Sequence, residues 1–491
     1  MSQQRHSIVI VGAGPSGICT AIKLREAGID DVVLLERSSA PGGTWQNNRY
    51  PGLACDVPSH LYSFTFEQKP DWPREFSYQP EIRAYMQEIV AKHGLGRAIR
   101  LNAEVREARW DDGACEWTFT LADGSTVIGD VFVSALGMFN EIVWPDIEGL
   151  SSFAGETLHT ASWPEGKSLA GKRVAVIGTA ASATQMIPVI ASEVSQLYVY
   201  QRTANWVFPK PDKDYSDAEL AEARENPAVG LAIREKYRDV YERLVLFDDR
   251  ALMAEWTKGA RELLAQVKDP ETRRKLEPQV PAGSQRPLLS NEFYPTFNRP
   301  NVELVTEPIE RITPRGVVTN DGRLREIDVL VLATGYAANK FLSVIEVSGR
   351  GGLRLADAWK DGPIAYRGIT TAGFPNLFML YGPNTNNGSI LFMIERQADY
   401  IVRKIRLLRD ERLDWIDVRR EAMEAYNAWL QGEMEKVEAW RTVGSHYYRA
   451  TSGRIVTQWP GNMARFAEMT SVEDTGDYEL GPREAPLRAR A

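Results

Sequence analysis

Cysteine is scarce. The 491-residue chain carries three, Cys19, Cys55 and Cys115, and no two of them form a Cys-x-x-Cys pair. A sparse, odd count excludes a disulfide framework and fits a reducing compartment; without a close pair, neither a zinc site nor a redox dithiol is expected. An excess of basic residues is lacking too. Sixty-six acidic residues against 58 basic ones give a net charge of −8, the wrong sign for a nucleic-acid partner. No uninterrupted apolar stretch approaches the roughly 20 residues of a membrane span. Residues 1–6 are polar, with no apolar export-signal core ahead of the first strand. Short tandem repeats are absent, which excludes a solenoid. Together these absences predict a cytoplasmic protein with no metal centre, no nucleic-acid partner and no membrane span. The oligomeric state stays open.

What is present is an ordinary globular composition, 43% hydrophobic and 25% charged, which excludes a mainly disordered chain. The length exceeds what one hydrophobic core supports, so two or three domains are expected. Residues 7–11 read as a buried strand, followed by Gly12-Ala13-Gly14-Pro15-Ser16-Gly17, an apparent helix through Leu24, and a second apolar run over 31–35 that ends at Glu36. A lone glycine pattern is weak evidence; strand, glycine turn, helix, strand, then an acidic residue roughly 20 positions on is strong. Gly12 permits the tight turn, Gly14 a close backbone approach to a pyrophosphate, and Gly17 the packing of helix on strand. The helix N-terminus, with Ser16 in its first turn, turns its positive end toward the phosphates. Glu36 is positioned to accept hydrogen bonds from ribose hydroxyls and to repel a 2′-phosphate, which suits FAD or NAD rather than NADP.

The pattern starts again at 173–177. Gly178-Thr179-Ala180-Ala181-Ser182-Ala183 follows, then a helix to Ala191 and a strand over 197–201 that leads to Arg202 and Thr203. Two nucleotide-type βα starts predict an α/β fold with two doubly wound, Rossmann-like dinucleotide-binding domains. Residues 105–121 read as a hairpin, and 131–136 and 329–333 as further buried strands. Residues 214–278 are charged and helix-like, a helical insertion in the second domain. Residues 395–408 and 420–440 look helical, and 483–491 read as a frayed polar tail.

Between the two turns lie Gly42-Gly43-Thr44-Trp45, Asn48-Arg49-Tyr50-Pro51-Gly52, Cys55-Asp56 and Ser59-His60-Leu61-Tyr62-Ser63. Further on, Phe153-x-Gly155-x-x-x-His159-x-x-x-Trp163-Pro164 precedes the second turn, and Arg286-Pro287, Ala333-Thr334-Gly335 and Gly382-Pro383-Asn384-Thr385 come later. On these segments the sequence resembles the flavin-dependent monooxygenases, specifically the type I Baeyer–Villiger monooxygenases, over nearly its whole length. The resemblance implies a discontinuous FAD domain (1–140 and 346–491, the latter with the C-terminal tail) enclosing an NADP domain (141–212 and 281–345) that carries the insertion 213–280. It implies FAD and NADPH as cofactors and O2 as co-substrate. One oxygen atom would enter a ketone through a C4a-peroxyflavin and a tetrahedral adduct, giving an ester or lactone. Arg286 matches the family's active-site arginine, a charge that survives at any working pH, and Asp56 the carboxylate that orients it.

Cofactor contacts are implied at Gly12, Gly14, Ser16, Gly17, Glu36, Gly43, Thr44, Trp45, Asp56, Tyr62, Val105 and Asn384 for the flavin side. For NADP they are implied at Gly178, Thr179, Ala181, Ser182, Arg202 and Thr203, with Arg202 on the 2′-phosphate. Phe153, Gly155, His159, Trp163 and Pro164 form the domain-linking fingerprint, in which His159 is expected to be structural rather than a proton donor. The chain departs from the family at Ala180, where glycine is usual, at Gln285, where a lysine usually precedes the arginine, and at His446, within Ser445-His446-Tyr447. The alternatives carried beside this reading are a related monooxygenase acting on nitrogen or sulfur, and an uncoupled FAD oxidase or FAD-binding protein.

Overall fold

The computed structural model describes residues 4–441 and 448–482; His446 and the tail 483–491 lie outside the described residues. An eight-stranded sheet runs in the order Glu346–Ser348, Val105–Asp111, Glu116–Leu121, Thr126–Ser134, Gln4–Val11, Val32–Leu35, Ile99–Arg100, and Leu377–Met379 pairs with the end of Thr126–Ser134. Its central strands are parallel, Gln4–Val11 lying between Thr126–Ser134 and Val32–Leu35. The buried ends of these strands, Ile8 to Val11 and Val32 to Leu35, show no alternation, as expected where both sheet faces are covered. The hairpin strand Val105–Asp111 alternates buried and exposed positions instead, the mark of an antiparallel extension with one face toward water.

A second sheet is wholly parallel, in the order Val302–Val305, Gln196–Tyr200, Arg173–Ile177, Val329–Leu332, Glu156–His159. The architecture is therefore α/β with two doubly wound sheets. In each, the strand before the glycine turn sits where the strand order reverses, and the crevice beyond such a switch point is where open α/β sheets bind ligands. The segment 214–278 holds the helices Asp217–Glu225, Ala228–Leu244, Arg250–Leu264 and Pro270–Lys275.

Two expectations shift. The strand expected over 131–136 is the end of a longer strand, Thr126–Ser134, whose first half pairs antiparallel with Glu116–Leu121. Its apolar pattern is interrupted by Gly129-Asp130; a Cβ on Gly129 would lie 2.6 Å from a methyl of Val9, so the missing side chain is what lets the neighbouring strand pack. The helix expected over 420–440 is two, Arg420–Met434 and Glu438–Arg441.

Candidate functional site

The first glycine turn is built by exclusion. A Cβ on Gly12 (φ +108°) would lie 2.6 Å from the Ala135 carbonyl, and one on Gly17 would lie 2.0 Å from the carbonyl of Gly12. Gly14 precedes the helix Pro15–Glu26 in extended backbone. A Cβ there would meet the Cα of Gly43 at 3.3 Å, and one on Gly43 (φ +56°) would meet the Cα of Gly14 at 2.8 Å. A side chain at the second glycine would thus be crowded by the protein itself. Glu36 is 4% exposed and accepts from the Ala13 N–H (2.8 Å, Oε2) and the Ser38 N–H (2.8 Å, Oε1). Those two bonds fix the carboxylate beside the turn. Ser16 lies buried in the helix's first turn. Val105 is also buried, two residues beyond Ala103, whose N–H donates to the Glu36 carbonyl at 2.8 Å.

Thr44 opens the short helix Thr44–Asn47. The next residue, Trp45, donates its indole N–H to the Tyr62 hydroxyl at 3.0 Å, and the two rings meet edge to face at 5.7 Å. Burial raises the Tyr62 phenol above its usual range, so it stays a neutral acceptor. From 53 to 64 every residue is buried except Asp56 and Tyr62; these two positions are the ones the segment leaves open. Asp56 pairs with Arg286. Its neighbour Cys55 is buried, and desolvation, reinforced by the Asp56 charge, holds its thiol well above its usual range. That makes it a poor nucleophile. The Oγ of Ser284 and the Oε1 of Gln285, just before Arg286, are buried without a hydrogen-bond partner among the described residues, as is the Oε1 of Gln46. Unmet polar atoms of this kind call for a ligand or water.

The second turn repeats the first with one relaxation. Gly178 (φ +109°) would place a Cβ 2.6 Å from the Ala333 carbonyl, as Gly12 does against Ala135. Ala180 caps the helix Ala181–Ile190 in extended backbone, the conformation of Gly14, but it is exposed, with no counterpart of Gly43 pressed on it. Thr179 is buried and its carbonyl accepts from the Asn205 side chain at 3.3 Å. Ser182 lies close to the Tyr50 hydroxyl. Arg202 and Thr203 are exposed beyond the strand Gln196–Tyr200, and Arg202 makes no ion pair with the described residues.

The remaining expected residues lie apart from this pair of turns. His159 ends the edge strand Glu156–His159. Its Nδ1 accepts from the Ala161 N–H at 3.0 Å, so Nε2 carries the proton toward Thr334 Oγ1 (3.1 Å), whose hydroxyl donates to the Val143 carbonyl at 2.5 Å. Burial lowers the pKa of this imidazole. A Cβ on Gly155 would strike the Asp328 carbonyl and the Phe153 ring, each at 2.5 Å; Trp163 is buried and Pro164 exposed. Asn384 is buried at φ +59°. Its amide donates to the carbonyls of Ile455 (2.9 Å) and Gln458 (3.0 Å), so its side chain holds the segment 455–458. Sequence reasoning missed Gln185, which joins the two sheets by accepting from the Tyr50 hydroxyl (2.9 Å) and donating to the Ala54 carbonyl (2.9 Å); nothing in its neighbours flagged it. A surface depression of roughly 630 Å³ along the helix Arg250–Leu264, lined by Phe247, Met253 and Thr257, includes none of the expected site residues. Among the described residues no group of three or more His, Cys, Asp or Glu could hold a metal, and no helix is long and apolar enough to cross a membrane.

The arrangement offers two dinucleotide cradles and a cation–carboxylate pair joining the segments between them. A profile of the NAD(P)-binding Rossmann-like domain matches residues 10–88. A Baeyer–Villiger monooxygenase of Pseudomonas aeruginosa is 40% identical over 97% of this chain and 92% of its own length. One of Streptomyces coelicolor is 39% identical over 99% of this chain and 94% of its own. The solved structure of cyclohexanone monooxygenase from Rhodococcus sp. Phi1 bound to NADP+ superposes with a TM-score of 0.87 at 30% identity, covering 98% of this chain and all of the other. The chain belongs to the Baeyer–Villiger monooxygenase family.

Proposed function

We propose that this protein is an FAD- and NADPH-dependent monooxygenase that converts a ketone, O2 and NADPH with a proton into an ester or lactone, water and NADP+, with Arg286 and Asp56 at the reacting centre. The single observation that carries the assignment of residues is the Arg286–Asp56 ion pair, which ties the segment following the first glycine turn to the loop preceding Pro287. The residues present fit both cofactors. For FAD there is the Gly12–Gly17 cradle that a Cβ would fill, the anchored Glu36 carboxylate, and the unmet Gln46 Oε1. For NADPH there is the second cradle, with Ser182 in the first turn of its helix and the unpaired Arg202 beyond the next strand.

When bound, FAD supplies the activation of O2 with electrons taken from NADPH. The chain's own groups do the rest. Arg286 presents a charge that cannot be surrendered as a proton and would stabilise the negative charge that develops on oxygen during the reaction. Asp56 accepts from the guanidinium and holds its orientation. Trp45 and Tyr62, locked to one another, would flank the flavin and exclude water from it. Arg202 would hold the 2′-phosphate, for which a guanidinium is the natural bidentate donor. Neutral His159, bonded through Thr334 to the 143 carbonyl, ties the linker to the second sheet and moves no proton. In this reading the FAD domain takes 1–140 and 346–491 and the NADP domain takes 141–212 and 281–345, with 213–280 as its insertion; the pairing of Gln4–Val11 with Thr126–Ser134 and of Arg173–Ile177 with Val329–Leu332 supports it.

Arg286→Ala tests the assignment. FAD content and NADPH oxidation are expected to persist while ester falls to background and the electrons leave as hydrogen peroxide. Ester formation at the wild-type rate in this variant would overturn the role given to Arg286.

A further inference from the structure

The helix Ala228–Leu244 belongs to the segment between the two halves of the second sheet, yet one face of it is spent on the loop that carries Asp56 and Tyr62. Gly230, Arg234, Tyr237, Tyr241 and Leu244 recur at spacings of four and three, a single helical stripe. At Gly230 an added Cβ would lie 3.2 Å from the His60 ring, so the helix lies close on the loop there. Arg234 is 4% exposed. Its Nη1 donates to three carbonyls of that loop, those of His60 (2.8 Å), Leu61 (3.4 Å) and Ser63 (2.8 Å). Tyr241, two turns on, donates its hydroxyl to the carbonyl of Asp56 at 2.8 Å. Beyond the helix end, the Val245 carbonyl accepts from the Asn387 side chain at 3.3 Å.

The other side of the loop is held by an anion. Glu395, fully buried on the helix Ile390–Asp410, accepts from the backbone N–H and the hydroxyl of Thr65, and Ser389 Oγ donates to the Leu61 carbonyl at 3.0 Å. The loop is clamped between a buried guanidinium on its carbonyl side and a buried carboxylate on its amide side. Burying such charges is expensive and adds little net stability over an apolar contact; what it secures is one geometry. From 53 to 64, the stretch this clamp holds, the two residues left open are Asp56 and Tyr62.

We propose that Arg234 and Tyr241 are positioning residues. Through backbone carbonyls alone, they set where Asp56 stands relative to Arg286 and where Tyr62 stands relative to Trp45. The proposal rests on the reading of Arg286, Asp56 and Tyr62 given above. Neither residue touches a reacting atom, so the predicted defect is in the use made of electrons, not in their supply.

The experiment measures ester formed and hydrogen peroxide released per NADPH oxidised, with FAD content, melting temperature and the visible spectrum of the bound flavin, in Tyr241→Phe, Arg234→Met and Arg234→Lys holoenzymes. Tyr241→Phe removes one donor without changing the ring. The ester-to-peroxide ratio is expected to fall about fivefold, the worth of one hydrogen bond, with FAD content and NADPH oxidation kept and the flavin spectrum shifted. Arg234→Met is expected to fall further, and Arg234→Lys, which keeps a charge that can reach one carbonyl, to recover part of the ratio. A wild-type ratio in both Tyr241→Phe and Arg234→Met overturns the proposal. So does a loss of FAD or melting temperature with the ratio unchanged, because that is the pattern of a purely structural contact. Should Arg234→Met not fold, the isosteric Tyr241→Phe decides alone. If Arg286→Ala makes ester normally, the underlying reading fails; if it makes none while Tyr241→Phe and Arg234→Met are both normal, only this inference fails.

Discussion

At the residue scale, the two glycine turns show how one backbone solves the same problem under different constraints. A side chain on Gly14 would crowd Gly43, whereas Ala180 stands in the same extended conformation and is exposed. Alanine at the second turn is therefore compatible with an intact cradle, and the departure from the family pattern costs the protein no contact of its own. In the proposed reading, discrimination between NADPH and NADH falls on Arg202, since Gln285 supplies no charge where the family usually has a lysine. Arg202→Ala is expected to raise the KM for NADPH about tenfold or more, the loss of a charge-assisted hydrogen-bonded pair, while leaving the KM for NADH nearly unchanged. Measuring flavin reduction with both nucleotides checks this, and equal effects would remove Arg202 from the phosphate site.

At the element scale, the strand Leu413–Val418 pairs antiparallel with Tyr478–Pro482 and ties the end of the described chain to the body of the protein. Asp417 sits in that pair, 6% exposed, accepting from the Gly373 N–H at 3.1 Å with Arg350 4.0 Å away. Burial outweighs these partners and pushes its carboxyl up to about 7. A folded pKa above the unfolded value of about 3.9 means the native state binds the extra proton between those limits. Its contribution to stability is therefore full below about pH 4 and is lost as pH rises toward 7. Asp417→Asn, which cannot ionise, is expected to flatten this slope. It should leave the melting temperature near wild type at pH 4.5 and raise it at pH 8, by a free energy on the order of a few kcal/mol. A melting difference independent of pH would refute the buried-proton account. The strand Thr126–Ser134 teaches a different point about elements: its apolar run is broken at Gly129-Asp130, and only the presence of Val9 on the neighbouring strand explains why a gap there continues the strand instead of ending it.

At the scale of the whole molecule, the two sheets are joined by polar bridges, Tyr50 with Gln185, Arg286 with Asp56, and Arg234 and Tyr241 with the loop 56–63. FAD binds against elements drawn from both ends of the chain in the proposed arrangement, so it should stabilise the fold by simple linkage. Removing the flavin is expected to lower the melting temperature, and adding it back at a hundredfold excess over its Kd to restore about 2.7 kcal/mol. Thermal unfolding of apo and reconstituted protein tests this; an unchanged melting temperature would mean that the first glycine turn does not hold the flavin in the folded state.

Much of this was legible in the residue order. Strand, glycine turn, helix, strand and acidic residue are local in sequence, so Gly12 to Glu36 and Gly178 to Arg202 declare their elements and their chemistry without tertiary information. The same holds for the family, because long motifs such as Phe153 to Pro164 survive as strings. What only the tertiary structure decided is which distant groups meet. Arg286 and Asp56 are 230 positions apart and Gln185 and Tyr50 are 135 apart, and no periodicity encodes such pairs. The clamp on the 56–63 loop is the clearest case. Arg234 reads in sequence as one more charge on a charged helix, and it becomes a buried anchor because the folded loop turns three carbonyls toward it where no water can compete.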